Sequence, residues 1–295
     1  LNCGHAHADA LSFDLAAGGR TILVDPGTYT YTGSKKFRDW FRSSFAHNTL
    51  TLDDCPSSWP GGTFSWKSKA NCSLGKWISN DRFDFVSGEH DGYGLAHRYS
   101  SATLERSILF LKRDYWIMRD DVIALENHRA SLLFHFDSSA KPVVDGGVRD
   151  AESGFTIKCF GDGHWLEEDT WVSHCYGQKE NAKTCIFSAV LRDGKDIFSF
   201  LLPGKAEIEW RVTEIPAQGG NAFTVSGANT MDLVMIRCDE RVETLGYVSD
   251  SEWLWIRFSN GKVQDIVSLP EKASDSFSTD ELGKLYLKLT LSETL

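Results

Sequence analysis

Along much of this chain, apolar and polar residues alternate with a period of two, the pattern of strands with one buried face. Leu11 to Leu15 alternates, Ala16-Ala17-Gly18-Gly19 supplies a turn, and Thr21 to Val24 is a second short apolar run, which together predict a β-hairpin. A turn centred on Gly18 sets Asp25 opposite the start of the first strand, close to Gly4-His5-Ala6-His7-Ala8-Asp9. Asp25-Pro26-Gly27 closes the second strand with a turn. Residues 28–46 are polar with interspersed aromatics and are read as irregular. Alternation resumes at Asn48–Leu52 and stops at Asp53-Asp54. Short strands between turns then follow, among them Ala102–Phe110, Tyr115–Val122, Ser131–Phe136, Thr184–Leu191, Ile197–Leu202, Thr230–Arg237, Trp253–Phe258 and Leu285–Leu291. No segment carries a 3.6-residue apolar period over three turns, so the expected fold is all-β, a large antiparallel β-sandwich of stacked sheets. Pro216-Ala217-Gln218-Gly219-Gly220 marks a candidate boundary, giving units 1–215 and 216–295, the second either part of the same sandwich or a small β-unit.

Composition adds scale and sign. The 295 residues are 41% apolar with ten Trp and eighteen Phe, enough for an aromatic-rich core. No apolar run approaches the roughly 20 residues that span a bilayer, so no membrane span is expected. A net charge of −10 argues against a nucleic-acid binder. The acid is unevenly spread: residues 1–50 hold five Lys/Arg against four Asp, so the whole excess lies further on. One locally basic segment on an acidic body suits an anion bound at one place, and a solvated loop accounts for it equally. The seven cysteines fall at no ligand spacing and read as scattered singles.

The chemistry concentrates in residues 4–49. In an extended His5-Ala6-His7 both imidazoles face one side, and Asp25 from the neighbouring strand and His47 from the entry to the next can join them. Two imidazoles and a carboxylate form a donor set suited to zinc, while hydrogen-bonded structural histidines at strand ends are the plainer alternative.

Separated blocks in fixed order carry more information than any one of them. Gly4-His5-Ala6-His7-Ala8-Asp9, Leu11-Ser12-Phe13, Gly19, Asp25-Pro26-Gly27, and Trp40-Phe41-Arg42-Ser43-Ser44 leading to Ala46-His47-Asn48-Thr49 resemble the heparinase II/III-like C-terminal region of polysaccharide lyases. Weaker echoes are Gly92-Tyr93 with His97-Arg98, and Ser173 ahead of Tyr176-Gly177. Ser44 stands where a threonine is usual in that family.

The resemblance implies that His7, Asp25 and His47 bind one divalent metal, usually zinc, in a chiefly structural role, and that His5 faces the substrate. It implies β-elimination on a uronic-acid polysaccharide of heparan sulfate or alginate type. The helical toroid that supplies further catalytic groups in the family is not in this sequence, so the chain reads as the C-terminal part of a longer protein and one wall of a cleft. On that wall Tyr31 is assigned proton transfer, and Tyr29, Arg38 and Arg42 contact with the anionic polymer. Packing and structural ion pairing are the competing uses of these side chains. A periplasmic or secreted bacterial location follows from such a function alone. Two other readings stand beside this one. One is a non-catalytic, acidic-glycan-binding sandwich with a purely structural metal. The other is a zinc hydrolase, for which Asp9 is the near candidate base.

Overall fold

The strand His128–His135 shows why the period-two reading works. Ala130, Leu132 and Phe134 are buried on one face and meet Leu50 and Leu52 from one neighbouring strand and Cys185, Phe187 and Ala189 from the other. This four-stranded antiparallel sheet runs Gly163–Val172, Glu180–Leu191, His128–His135, Leu50–Leu52. A second sheet of eight strands runs Pro142–Val144, Val148–Asp150, Thr156–Phe160, Ile197–Leu202, Trp116–Ile123, Thr103–Leu111, Phe83–His90, Cys72–Ser79. Its Leu104, Met118, Val122, Ile157, Ile197 and Leu201 pack into the same core, which stacks the two sheets. Each such buried side chain contributes roughly 1.5–3 kcal/mol of transfer free energy, the dominant favourable term. The computed structural model describes residues 3–96, 102–112, 114–192, 196–204, 208–227, 229–270 and 279–292, so His97 and Arg98 lie outside the described residues.

Two compact units result, Leu1–Gly204 and Lys205–Leu295. The second is a five-stranded antiparallel sheet in the order Arg211–Ile215, Gly220–Gly227, Thr230–Arg237, Trp253–Ser259, Lys262–Leu269. Arg211–Ile215 pairs with Gly220–Gly227 and therefore belongs to this unit, although the candidate boundary at 215/216 groups it with the first. Buried Asp232 accepts Trp255 Nε1 at 3.1 Å and both Nε and Nη2 of Arg257 at 2.8 and 2.7 Å, which satisfies its charge inside the sheet.

Two helices correct the sequence reading. Leu285–Leu291, expected to be a strand, lies within the helix Thr279–Ser292. The leucines at 285, 287, 289 and 291 alternate like a strand, but the fold buries Leu285 and Leu289, one helical turn apart, and leaves Leu287 63% exposed. Residues 35–41, expected to be irregular, form the helix Lys35–Phe41, with Ser34 Oγ capping Phe37 N at 3.4 Å.

Buried histidines make the first unit sensitive to acid. His90 (1% exposed) accepts the Gly92 amide at Nδ1, and burial, then the charge of Arg106, lowers its pKa to about 4. Burial first and the His47 charge second lower His135 to about 3. Both are neutral in the fold, while the unfolded chain takes up their protons below about pH 6.5. Stability is therefore full above that value and falls as the pH drops toward 4. Between pH 7 and 5 each histidine is expected to remove about 2 kcal/mol. Urea denaturation at the two pH values checks this, and His90→Gln should reduce the difference.

Candidate functional site

The segment around the HAH sequence is held by side chains from residues 38–66 rather than by sheet pairing. Arg38 Nη2 donates to Gly4 O at 3.0 Å, Trp66 Nε1 to Cys3 O at 2.9 Å, Ser44 Oγ to Ala8 O at 2.6 Å and Thr49 Oγ1 to Ala10 O at 2.9 Å. Ala8 N reaches Arg42 O at 2.8 Å. Gly4 and His5 lie in a turn, so the two histidines do not share the face of an extended strand, and each finds its own neighbours.

His7 joins Asp25 and His47. His47 is fully buried; its Nδ1 donates to the Ser43 carbonyl at 2.8 Å, which fixes the ring with Nε2 toward the site. That Nε2 stands 3.2 Å from His7 Nδ1 and 3.3 Å from Asp25 Oδ2. Donors of a tetrahedral zinc, each about 2.0–2.1 Å from the ion, lie about 3.3–3.4 Å apart, so the spacing fits. Protonation fits as well. Burial above all, then the charges of His47, Arg38 and Arg42, lower His7 to about 4 against the opposing pull of Asp25. Burial pushes the Asp25 carboxyl upward, but the His47 hydrogen bond and charge and the Gly27 amide outweigh it and hold it below the usual carboxylate range. At neutral pH His7 is thus a neutral imidazole and Asp25 a carboxylate, the forms that bind a metal. Asp9 brings a carboxylate oxygen into the same group, with donor atoms of all four residues within 4.8 Å of one another.

His5 instead meets Tyr31: Nδ1 lies 3.1 Å from the phenol oxygen, with the rings edge-to-face at 5.0 Å. Phe64, at the turn of the small hairpin Pro60–Gly62 and Ser65–Trp66, is 5.9 Å from both rings. Tyr176 stacks on Tyr31 at 5.6 Å, and its hydroxyl accepts the Tyr31 amide at 3.3 Å. That amide, then the Thr30 hydroxyl, lower the Tyr176 phenol. Tyr176 comes from the tip of the long hairpin Gly163–Val172 and Glu180–Leu191, which is tied to the Asp25–Tyr31 loop by Ser173 N to Pro26 O at 2.8 Å and Gly177 N to Tyr29 O at 2.7 Å. Gly27 (φ +77°) admits this approach, since a Cβ there would lie 2.2 Å from Ser173 O.

The other expected contacts have more structural surroundings. The ring of Tyr29, whose backbone sits at φ 58°, packs on Phe37 and Phe41 at 5.4 and 5.5 Å. Arg42 is 0% exposed and donates from Nη2 to Asp39 Oδ1 and Gly62 O and from Nη1 to Thr63 O. Arg38 is 1% exposed, with its guanidinium 4.9 Å over the Tyr31 ring and Nε on Thr63 O. Together the two arginines fix the turn that presents Phe64. Sequence reasoning gave Phe64 no role and Tyr176 only an echo. Neither sits at a spacing that connects it to His5, and only the hairpins bring them there.

Comparisons with known proteins follow this layout. The sequence model of a family described as heparinase II/III-like, C-terminal, matches residues 2–211. A heparin-sulfate lyase of Pedobacter heparinus is 27% identical over 145 residues, 48% of this chain and 19% of that protein. One of Bacteroides stercoris is 23% identical over 211 residues, 67% of this chain and 28% of that protein. This chain therefore spans less than a third of the length of these relatives. Its fold resembles that of heparan sulfate lyase HepC from Pedobacter heparinus, with a TM-score of 0.67 at 20% identity over 80% of this chain and 37% of that one. A solved heparinase III gives 0.60 at 16% identity over 88% and 37%. With the family's model matching well over half of its length, the chain belongs to the heparinase II/III-like C-terminal family.

Proposed function

We propose that this chain is one wall of the active site of a polysaccharide lyase that cleaves a uronic-acid-containing polymer, of heparan sulfate or alginate type, by β-elimination. The observation that carries the reading is the exposed His5–Tyr31 hydrogen bond, set beside a cluster with zinc-like donor spacing. In β-elimination a base removes the proton α to the carboxylate. The electron pair forms the C4=C5 double bond, the C4–O bond breaks, and an acid protonates the departing oxygen. An imidazole hydrogen-bonded to a phenol can hold and pass that proton. Tyr31 is the group at the leaving oxygen, and His5 sets its proton. Phe64 and Tyr176 give the sugar a ring surface. Arg38 lies behind the Tyr31 ring and acts on the anionic site through it, and Arg42 holds the Gly62–Thr63 turn.

A divalent cation, zinc by its donors, would be held by His7, Asp25 and His47, and would supply a fixed charge and a crosslink near His5. The groups that neutralise the substrate carboxylate would come from a helical domain of the same protein, and the site of action would be periplasmic or secreted. The test is to incubate the full-length parent protein with a panel of uronic-acid polymers and follow the ultraviolet absorbance of the unsaturated product. Absorbance rising with at least one polymer is the expected result. Retention on an immobilised uronan without any product would favour the non-catalytic glycan-binding reading instead.

A further inference from the structure

We propose that Lys179 is a cation by which this wall grips an acidic polymer, its ammonium meeting a carboxylate or sulfate on a sugar beyond the one at His5 and Tyr31. The inference rests on the lyase reading above and deepens it with a further substrate contact. A polyanion approaching a chain of net charge −10 needs an exposed cation beside the cleft. Arg38 and Arg42 do not supply one, since they are 1% and 0% exposed and their donors reach backbone carbonyls and Asp39.

Lys179 stands three positions after Tyr176 on the same hairpin tip, so their Cα atoms are at most about 11 Å apart. The tip is tightly turned: Ser173 Oγ reaches Cys175 O and Gln178 O at 3.0 and 2.7 Å, and Gln178 N donates to Cys175 O at 3.1 Å. Through Ser173 N on Pro26 O and Gly177 N on Tyr29 O, Tyr176 and Lys179 are set together against the loop that carries Tyr31. Lys179 Nζ lies 4.9 Å from the ring centre of Phe37 and 4.7 Å from that of Trp171, two rings that meet edge-to-face at 5.4 Å. Phe37 packs in turn on Tyr29, two residues before Tyr31. The rings hold the ammonium in place, yet among the described residues no carboxylate pairs with it. Its neighbours differ. Lys183, further along the hairpin, pairs with Glu167 and Asp169 at 2.7 and 2.8 Å, and Lys35 is closed onto Asp39. A lysine that is held but unpaired, at the end of an aromatic surface, is a preset point charge for an oxyanion.

The experiment is steady-state kinetics of the full-length parent protein on an unsulfated uronan and on heparan sulfate, at low and raised salt. The variants are Lys179→Gln, Lys179→Ala, Lys179→Arg and, as a control on the same hairpin, Lys183→Ala. Lys179→Gln should raise KM about fivefold at low salt, the upper range for an exposed ion pair, with kcat unchanged. The gap should close as salt is raised, Lys179→Arg should stay near wild type, and Lys183→Ala should not move KM. A rise on both polymers assigns the carboxylate, and a rise on heparan sulfate alone assigns the sulfate. Circular dichroism checks that each variant folds. A Lys179→Gln variant with wild-type KM overturns the proposal even if Lys179→Ala is impaired, because the stem then only packs the tip. An equal rise in Lys183→Ala overturns it too, since the effect is then that of overall charge. Normal turnover by both wild type and Lys179→Gln removes the Lys179 assignment alone. If the wild type forms no product from any uronan, the lyase reading falls and takes this assignment with it.

Discussion

Arg106→Met should destabilise the first unit by about 3–5 kcal/mol, the cost of removing one partner from a buried ion pair. Arg106 is 3% exposed and donates from Nε to Asp120 Oδ1 at 2.7 Å; Asp120 is fully buried. Burial raises the Asp120 carboxyl and Arg106 opposes that shift, so without the guanidinium the carboxyl is left to take up a proton or draw in water. The same guanidinium donates from Nη1 to Leu11 O and Asn48 O, both at 2.8 Å. It thus ties the strand Thr103–Leu111 to segments that lead to His7 and His47, and its loss should loosen the proposed metal cluster as well as the core. Urea denaturation measures the first effect and chelator competition the second. Arg106→Met combined with Asp120→Leu should recover part of the stability, because no charge is then stranded. A loss below 1 kcal/mol in the single variant would mean that Arg106 does not hold these segments together.

On the lyase reading proposed above, His5→Ala should lower kcat/KM of the full-length protein by about 10²–10⁴, the usual contribution of a positioned acid or base. Tyr31→Phe should fall in the same range. The double variant should lose little beyond the worse single one, because on that reading the two side chains would pass one proton and act as a unit. Neither change should shift the melting temperature much, since His5 and its hydrogen bond to Tyr31 are exposed. His47→Ala is the contrasting case: it empties a fully buried position and strips the cluster of a donor, so stability and turnover should fall together. Activity that survives His5→Ala within threefold would remove His5 from the chemistry.

The sheets were legible because a strand with one buried face writes its burial directly into the sequence, as Ala130, Leu132 and Phe134 do. The helix Lys35–Phe41 was not, because its buried face includes Arg38, and a pattern search counts an arginine as polar. The leucines near the C-terminus failed for the opposite reason, since their alternation satisfied a strand while the helix buries Leu285 and Leu289 and exposes Leu287. In the site, His7, Asp25 and His47 lie within about forty residues of one another in blocks that travel together, so their meeting could be anticipated; they do meet. Tyr176 and Phe64 reach His5 and Tyr31 through the register of two hairpins, which no local spacing encodes. Asp9 was read only as the base of an alternative zinc hydrolase; the structure sets its carboxylate within 4.8 Å of His7, Asp25 and His47, on a segment clamped at Ala8 and Ala10.

The hairpin tip that grips the Asp25–Tyr31 loop has a consequence for the order of assembly. Its hydrogen bonds join residues about 150 positions apart, Pro26 to Ser173 and Tyr29 to Gly177. Contacts of such long range form late, after much of the intervening chain has been ordered. During synthesis His7, Asp25 and His47 emerge before that hairpin, and for well over a hundred residues they exist without the element that packs Tyr176 on Tyr31. The ties between the hairpin tip and the Asp25–Tyr31 loop are therefore expected among the late contacts of the first unit, and with them the packing of Tyr176 on Tyr31.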